Sequence, residues 1–386
     1  MLPKTLTKSL IASAVLGGIA MTPAHAADPE WSFSGYIKLD AFMSDYQDGT
    51  APSSGFIGRQ FYIPSTTPVG GNGDDVVTDV HARQSRFFFD VSQELDNGET
   101  VKARIELDFM TVPVGDERIT NSYAPRLRQA YFTYGNWLVG QAWSNFQNLS
   151  ILPESVDFIG ATDGIIFARQ PQIRYTQGGF SVSAENPETT VTPFGGGGRI
   201  TSSDGVMPDL TAKYVGKAGD LSYSIAGLVR QLAHDVDGDG SDETASGYGI
   251  SVGAKWQLGK NDIRASFQTG SGFGRYLGLN TFNAAVVDAN GDLETIDSSG
   301  ITFAYRHVWS EKARSNFVYS RGWADNDTAL TGVNGTEYTQ RIGANYMYSP
   351  AKNLTFGAEV SRATRETEAG VDGDMTRLQF MAMYSF

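Results

Sequence analysis

From about residue 31 to residue 386 apolar and polar side chains alternate in short runs, and no stretch keeps a helical period for long. Val101, Ala103, Ile105, Leu107 and Phe109 form one stripe, with Lys102, Arg104, Glu106 and Asp108 between them. Tyr248, Ile250, Val252, Ala254 and Trp256 repeat the pattern against Gly247, Gly249, Ser251, Gly253 and Lys255. The alternation predicts strands at about 31–43, 78–92, 100–110, 126–134, 137–143, 171–176, 179–186, 208–216, 221–231, 246–257, 261–270, 299–309, 313–322, 337–348, 353–363 and 375–386. Sixteen strands is an even number, which a closed antiparallel barrel with both termini on one side requires. Several are shorter than the roughly 9 to 11 residues a membrane-crossing strand needs, so their limits are expected to extend.

The connections alternate between tight and long. Turn formers stand at Asp96-Asn97-Gly98, Gly135-Asn136, Gln177-Gly178, 217–220, Gly259-Lys260, 310–312 and 349–352. Between them lie eight segments, at about 44–77, 111–125, 144–170, 187–207, 232–245, 271–298, 323–336 and 364–374, most of them longer than a dozen residues. Short turns on one side and long loops on the other are expected of an outer-membrane barrel and would be anomalous in a compact soluble domain. The barrel also decides which face is wet. Arg or Lys facing lipid costs about 2–4 kcal/mol at the midplane, so the charged stripe belongs to the lumen. Trp31, Trp137, Trp143, Trp256, Trp309 and Trp323 all fall near strand limits, where aromatic girdles meet the headgroups.

Composition supports an all-β chain, with 44 glycines in 386 residues and 12% aromatics. Mean hydropathy of −0.26 matches a soluble protein, but a lumen and eight loops dilute a lipid-facing band to the same average. The absence of cysteine excludes disulfides, thiolate metal sites and cysteine nucleophiles. A formal charge of −13 argues against nucleic acid as a partner.

Both ends carry an address. Residues 1–26 combine Lys4 and Lys8, an apolar run from Leu10 to Met21, and Ala24-His25-Ala26, which together predict a cleaved secretory signal and a single barrel domain over 27–386. The last strand alternates Leu378, Phe380, Ala382, Tyr384 and Phe386 against Arg377, Gln379 and Ser385. A terminal Phe in that pattern resembles the signal by which outer-membrane barrels are passed to the barrel assembly machinery. The expected location is the bacterial outer membrane, in contact with lipid and lipopolysaccharide.

Six stretches carry a family resemblance: Phe33-Ser-Gly-Tyr-Ile-Lys-Leu-Asp40, His81-Ala-Arg-Gln-Ser-Arg-Phe87, Arg126-Leu-Arg-Gln-Ala-Tyr131, Asn136-Trp-Leu-Val-Gly-Gln-Ala-Trp-Ser144, Pro153-Glu-Ser-Val-Asp157 and Arg169-Gln-Pro-Gln-Ile-Arg-Tyr175. In these the chain resembles the DcaP-like trimeric outer-membrane channels, densely over its first half and by length and strand pattern thereafter. The resemblance implies a sixteen-stranded barrel assembled as a homotrimer that passes small anionic solutes such as dicarboxylates. Family members can carry an N-terminal periplasmic coiled coil. Here only Ala27 to Glu30 separate the expected cleavage site from the first strand, so trimerisation is expected from barrel walls and loops.

The resemblance also implies that the third external loop, Ser144 to Arg169, folds into the lumen. Its Ile151, Leu152, Phe158, Ile165, Ile166 and Phe167 are too apolar for a freely solvated loop. On the wall, Arg86 shares the parity of Gln84, Asp90 and Ser92; Arg104 lies on the charged stripe; Arg174 joins Gln170, Gln172 and Thr176. Arg126 and Arg128 share a face with Phe132 and Tyr134, which conflicts with a lumenal placement, and Arg83 has the opposite parity to Arg86. These five arginines, 86, 104, 126, 128 and 174, are candidate constriction residues that grip carboxylates reversibly through guanidinium forks, with Glu106, Asp108, Asp157 and Asp163 facing them. The plainer alternative is a structural network of arginine–carboxylate pairs.

Asp235, Asp237, Asp239 and Asp242 begin like a calcium loop, but Ser246 stands where an EF-hand needs its bidentate glutamate, leaving a loosely bound calcium or a solvated hairpin tip; no other cofactor is expected. Only His81, His234 and His307 follow the signal, and no nucleophile elbow, H-E-x-x-H or P-loop pattern occurs, so an enzyme is not expected. The functional expectation is an anion-preferring porin, with a general, cation-selective or sugar-selective porin as the alternative.

Overall fold

In the computed structural model the described residues are 28–73, 76–110, 114–115, 118–236, 238, 240 and 242–386. The expected signal segment, 1–26, lies outside them. Sixteen strands form the wall. They are β1 (Glu30–Tyr46), β2 in two pieces (Val77–His81 and Arg86–Glu94), β3 (Thr100–Asp108), β4 (Arg126–Tyr134), β5 (Trp137–Trp143), β6 (Arg169–Gln177), β7 (Phe180–Glu185) and β8 (Asp209–Ala218). The second half consists of β9 (Leu221–His234), β10 (Glu243–Leu258), β11 (Asn261–Ser271), β12 (Asp297–Val308), β13 (Ala313–Asp325), β14 (Thr336–Ala351), β15 (Leu354–Thr367) and β16 (Asp372–Ser385).

Each strand pairs antiparallel with the next. β16 returns to β1 in continuous register from Tyr36↔Ser385 to Tyr46↔Met375. Gly35 and Phe386 exchange backbone hydrogen bonds at 3.1 and 3.0 Å, and the Phe386 ring packs 5.4 Å from Phe33, so the last residue completes the seam. Closure leaves no open edge, which lipid would penalise by several kcal/mol for each unpaired backbone group.

All sixteen predicted strands are present, with three differences. The short members stay short: β5 has seven residues, because the chain leaves the wall after Trp143 to enter the lumen, and β7 has six, ending at Glu185 two residues before Pro187. The last long connection shrinks to a turn at 368–371, since β15 and β16 pair as far as Glu366↔Asp372. β2 is interrupted at 82–85, and this break explains the odd parity of Arg83, which is 1% exposed with its guanidinium 4.1 Å over the Tyr123 ring.

The two faces are inverted relative to a soluble protein. Ile37, Leu39, Ile105, Ile225, Ile250, Phe303 and Val360 point outward and are exposed, while Asp40, Glu106, Asp108, Gln268, Arg341 and Glu359 are buried inside. Trp31, Trp137, Trp256 and Trp309 are exposed at the turn end of the wall, as a girdle requires. Trp143 departs from the expectation and packs edge to face against Phe167 within the lumen, with ring centroids 4.9 Å apart. The apolar core lies inside the barrel. Loop 3 (144–168) and loop 6 (272–296) supply most of its largest cluster, including Phe146, Ile166, Phe273, Tyr276, Leu277 and Phe282, all below 5% exposed. Short strands at Thr189–Thr192, Ile200–Ser202, Ala285–Val287 and Leu293–Thr295 join loops 4 and 6 in a second small sheet.

Ile105 is 47% exposed at mid-strand of β3. Ile105→Arg is expected to cost about 2–4 kcal/mol of insertion free energy and to lower the yield of folded, membrane-inserted protein, measured by heat-modifiable electrophoretic mobility. Wild-type yield would show that this face does not meet lipid.

Candidate functional site

The arginine wall is built on the upper, loop-side ends of β2 to β6, and a β-bulge sets its geometry. Leu107 pairs with Leu127 and Glu106 with Gln129, so Arg128 is one extra residue in β4. Even positions point inward above it and odd positions below it. Arg126 and Arg128 therefore enter the lumen while Phe132 and Tyr134 face out, which resolves the conflict in their shared parity. Gly140 on the neighbouring strand has φ +128, and a Cβ there would lie 2.4 Å from the Ala130 carbonyl oxygen. Only glycine lets β5 follow the distorted β4 so closely.

Arg126 grips Asp108 with both arms of its fork, donating from Nε at 2.9 Å and from Nη2 at 2.8 Å. Arg128 bridges the two acids, donating from Nη1 to Asp108 at 2.8 Å and from Nε to Glu106 at 2.5 Å. Arg86 reaches Glu106 at 3.3 Å, and Gln129 also donates to Glu106. Arg169, at the head of β6, has no carboxylate within 4 Å among the described residues. It lies 4.9 Å over the Trp143 ring, where its charge interacts with those of Arg126 and Arg128. The cluster thus holds four guanidinium groups, from Arg86, Arg126, Arg128 and Arg169, against two carboxylates.

Loop 3 supplies the opposing side. Asn148 donates to Ser224 of β9 at 2.6 Å, Glu154 meets Arg314 of β13, and the Val156 amide donates to Glu359 of β15 at 2.8 Å. The Val156 carbonyl accepts from Lys38 of β1 at 2.6 Å and from Gln379 of β16 at 3.3 Å. Returning, the loop is held by Arg341 on the Gly160 carbonyl, by Ser320 at Ala161 and Gly164, and by a bridge between Ile166 and Leu277. All these wall partners belong to the inward, polar face. Phe158 is turned toward the arginines: the guanidinium carbons of Arg86, Arg126 and Arg128 stand 5.6, 5.9 and 5.2 Å from its ring centroid.

A cavity of about 180 Å³ remains between the two sides, lined in part by Arg86, Arg128, Trp143, Phe158 and Phe167. Toward the turn side it leads to one of about 510 Å³, which shares Arg86 and Trp143 with it and is lined also by Glu106. Arg104 and Arg174 line this larger cavity instead of the narrow one, and Arg104 is already clamped on Asp90 at 2.7 and 3.0 Å.

Asp157 and Asp163 are placed differently from the expectation that both face the arginines. Asp157 borders the narrow cavity, but its carboxylate accepts from the Tyr62, Ile159 and Gly160 amides. Burial alone would raise its pKa, yet Arg341, Arg377 and these amides hold it below the usual carboxylate range. Asp163 turns to loop 1 (47–76) and accepts from the Tyr62 hydroxyl at 2.6 Å. Its complete burial pushes it up to about 6, against the opposing pull of Tyr62, Thr339 and Arg341.

Asp237 and Asp239 of the calcium-like stretch lie outside the described residues. The Asp235 carboxylate accepts from the Gly238 and Gly240 amides of its own loop at 2.8 and 2.9 Å. Among the described residues no group of three His, Asp or Glu side chains is arranged to hold a metal ion.

Sequence reasoning missed Arg169, Trp143 and Lys213. Lys213 was within reach of it, because Leu210, Ala212 and Tyr214 alternate with Thr211 and Lys213 along β8. Arg169 and Trp143 are paired in register at the two ends of loop 3, a juxtaposition visible only once β5 and β6 are aligned.

A closed sixteen-stranded antiparallel barrel, apolar outside and charged within, with a loop laid across its lumen, defines a bacterial outer-membrane porin for small solutes, a transport fold. The chain belongs to the DcaP outer membrane protein family, whose model matches residues 5–386. It is similar to the outer membrane channel DcaP of Acinetobacter baumannii, with 24% identity and a TM-score of 0.77 over 95% of this chain and 100% of that one. OmpT of Vibrio cholerae shares 13% identity at a TM-score of 0.55, covering 95% of this chain and 99% of its own. An anion-selective porin from Comamonas acidovorans shares 12% identity at a TM-score of 0.55, covering 93% and 100%. No curated protein matches the chain.

Two outcomes are expected of the loop seat. A Cβ on Gly164 would lie 2.1 and 2.5 Å from the Ile301 and Arg321 carbonyl oxygens, so Gly164→Val should lift loop 3 from the wall and raise single-channel conductance. Unchanged conductance would show that the seat tolerates a side chain. Because the Asp163 pKa is raised on folding, its contribution to the seat is complete below the ordinary carboxylate value and fades as pH rises through about 6. Open-channel current noise should therefore be lower at acidic than at alkaline pH, and Asp163→Asn should remove the difference.

Proposed function

We propose that this porin prefers small anions, dicarboxylates above all, and that Arg86, Arg126, Arg128 and Arg169 gather them at the narrow cavity beside Phe158. The observation that carries this reading is the imbalance of charge: beside the place where loop 3 narrows the lumen, Arg86, Arg126 and Arg128 share the two carboxylates Glu106 and Asp108, and Arg169 has none among the described residues. A purely structural network would be expected to balance. Burial makes the surplus matter, because a charge in a low-dielectric cleft is poorly screened and attracts a counter-ion over several ångströms.

Glu106 and Asp108 have a role in the same scheme. Bound to Arg126 and Arg128, they orient the forks and temper the field, so that an anion is attracted without being trapped. Arg86 makes one long contact with Glu106, and Arg169 has no acidic partner among the described residues, so these two offer the donors for a passing carboxylate. A second carboxylate on the same solute would engage the pair together. The similarity of fold to an anion-selective porin supports the sign of the preference.

The assembly we infer contains three copies packed through barrel walls, delivered to the membrane by the assembly machinery through the strand ending at Phe386.

Reversal potentials in asymmetric potassium chloride across planar bilayers test the selectivity. The wild type should prefer chloride, Arg86→Ala and Arg126→Ala should each reduce that preference, and Glu106→Gln should increase it. Liposome swelling should be faster with dicarboxylates than with neutral sugars or amines of similar size. Equal swelling rates would reduce the protein to a general diffusion pore, and a cation preference would overturn the arginine reading. In the same bilayers, voltage-driven closure in three equal steps is expected of a trimer.

A further inference from the structure

We propose that Arg174 and Lys213 form a second anion station, on the periplasmic side of loop 3, that receives the carboxylate of a solute after the constriction. It rests on the anion-preferring reading above, and extends it to residues outside the narrow cavity. Arg174 stands on β6 and Lys213 on β8, with β7 between them. The register pairs Arg174 with Ser183, and Ser181 with Lys213, so β7 presents only two serines to the lumen between the cations. Adjacent strands are about 4.8 Å apart, so both long side chains can lean over this low floor toward one guest.

The two cations are uncommitted. Among the described residues neither has a carboxylate within 4 Å. Glu185, the acid of that wall, is saturated by the Asn145 amide at 2.8 Å, the Ser183 hydroxyl at 2.6 Å and the Gln170 side chain at 2.6 Å. Lys213 donates once, to the Gln147 carbonyl at 3.0 Å, which leaves two of its three protons for a ligand. The Gln147 side-chain amide borders the same space and has no hydrogen-bond partner among the described residues.

Room and continuity complete the case. The cavity of about 510 Å³ falls within the range of small-molecule sites. Its charged lining is Arg86, Arg104, Arg174 and Lys213 against Glu106 alone. Arg86 and Trp143 line both this cavity and the constriction, so an anion released from Arg86 meets the Arg174–Lys213 pair next. Two stations in series also keep conduction fast, since occupancy of one by an anion weakens the hold of the other.

Succinate block of chloride current is the test, in bilayers with the channel inserted in a known orientation and succinate added to one side at a time. In Lys213→Ala and Arg174→Ala the association rate from the periplasmic side should fall roughly tenfold, the scale of local electrostatic steering. The rate from the external side should change little, and Lys213→Arg should restore the periplasmic rate. Folded yield is checked by heat-modifiable mobility. Unchanged periplasmic rates in both alanine variants of an anion-selective channel would overturn the station alone. An equal fall on both sides would overturn it too, since it would mean that Lys213 merely anchors loop 3 through Gln147. A wild type without anion preference would instead overturn the reading on which the station rests.

Discussion

Everything in this molecule depends on the requirement that a sheet in lipid leave no backbone group unpaired and no charge on its outer face. Pairing β16 to β1 meets the first condition, and strict alternation of side chains meets the second. Alternation has a cost, because every polar side chain excluded from the lipid is driven into a lumen of fixed circumference. Lys38, Asp40, Arg341, Glu359 and Arg377 are all at most 5% exposed there. Such crowding is tolerable only if most charges find partners, since an isolated buried charge is far more costly than a paired one.

Loop 3 is the means by which much of that pairing is achieved. Its backbone supplies carbonyls to Lys38, Arg264 and Arg341 and an amide to Glu359, so cations and anions of β1, β11, β14 and β15 are satisfied by main chain. The loop needs the wall equally, for its own polar backbone could not be buried without these partners. Half of the barrel is neutralised in this way. On the other half, β2 to β8, the loop backbone supplies only the Asn145 amide to Glu185 and the Gln147 carbonyl to Lys213 among these charged groups, and it is there that arginines and a lysine outnumber acids.

The fold was legible because period-two alternation and turn chemistry are local signals, repeated sixteen times over. The lumenal face of the candidate residues was legible only where alternation ran undisturbed, as for Glu106, Asp108 and Arg104 on β3. One inserted residue at Arg128 reversed the parity of β4 and made its arginines ambiguous, since a bulge is a property of the pair of strands and not of one. The turn of Asp163 toward Tyr62 joins residues about a hundred positions apart, which no local pattern encodes. Trp143 illustrates a further limit: a tryptophan at a strand end suits a girdle, but packing against Phe167 and Arg169 becomes possible only when loop 3 folds back beside β5. The shortness of the last connection escaped notice for a simpler reason, because polar residues such as Thr364, Glu366 and Asp374 look like loop when they extend a strand above the lipid band.

The formal charge of −13 does not conflict with the anion preference proposed above, because the two would act at different ranges. Charges on loops in salt water are screened within about 8–10 Å and contribute little field at the narrowing. Those inside are screened by few ions and face one another across a low-dielectric gap, so on that reading the unbalanced guanidinium groups would outweigh many distant carboxylates. The position of the surplus matters as much as its size. Had Arg169 held an acid, and Arg86 one that it did not share with Arg128, the proposed preference would have no basis in this wall. The anion preference proposed above would follow from pairing left incomplete on the β2-to-β8 side of the lumen.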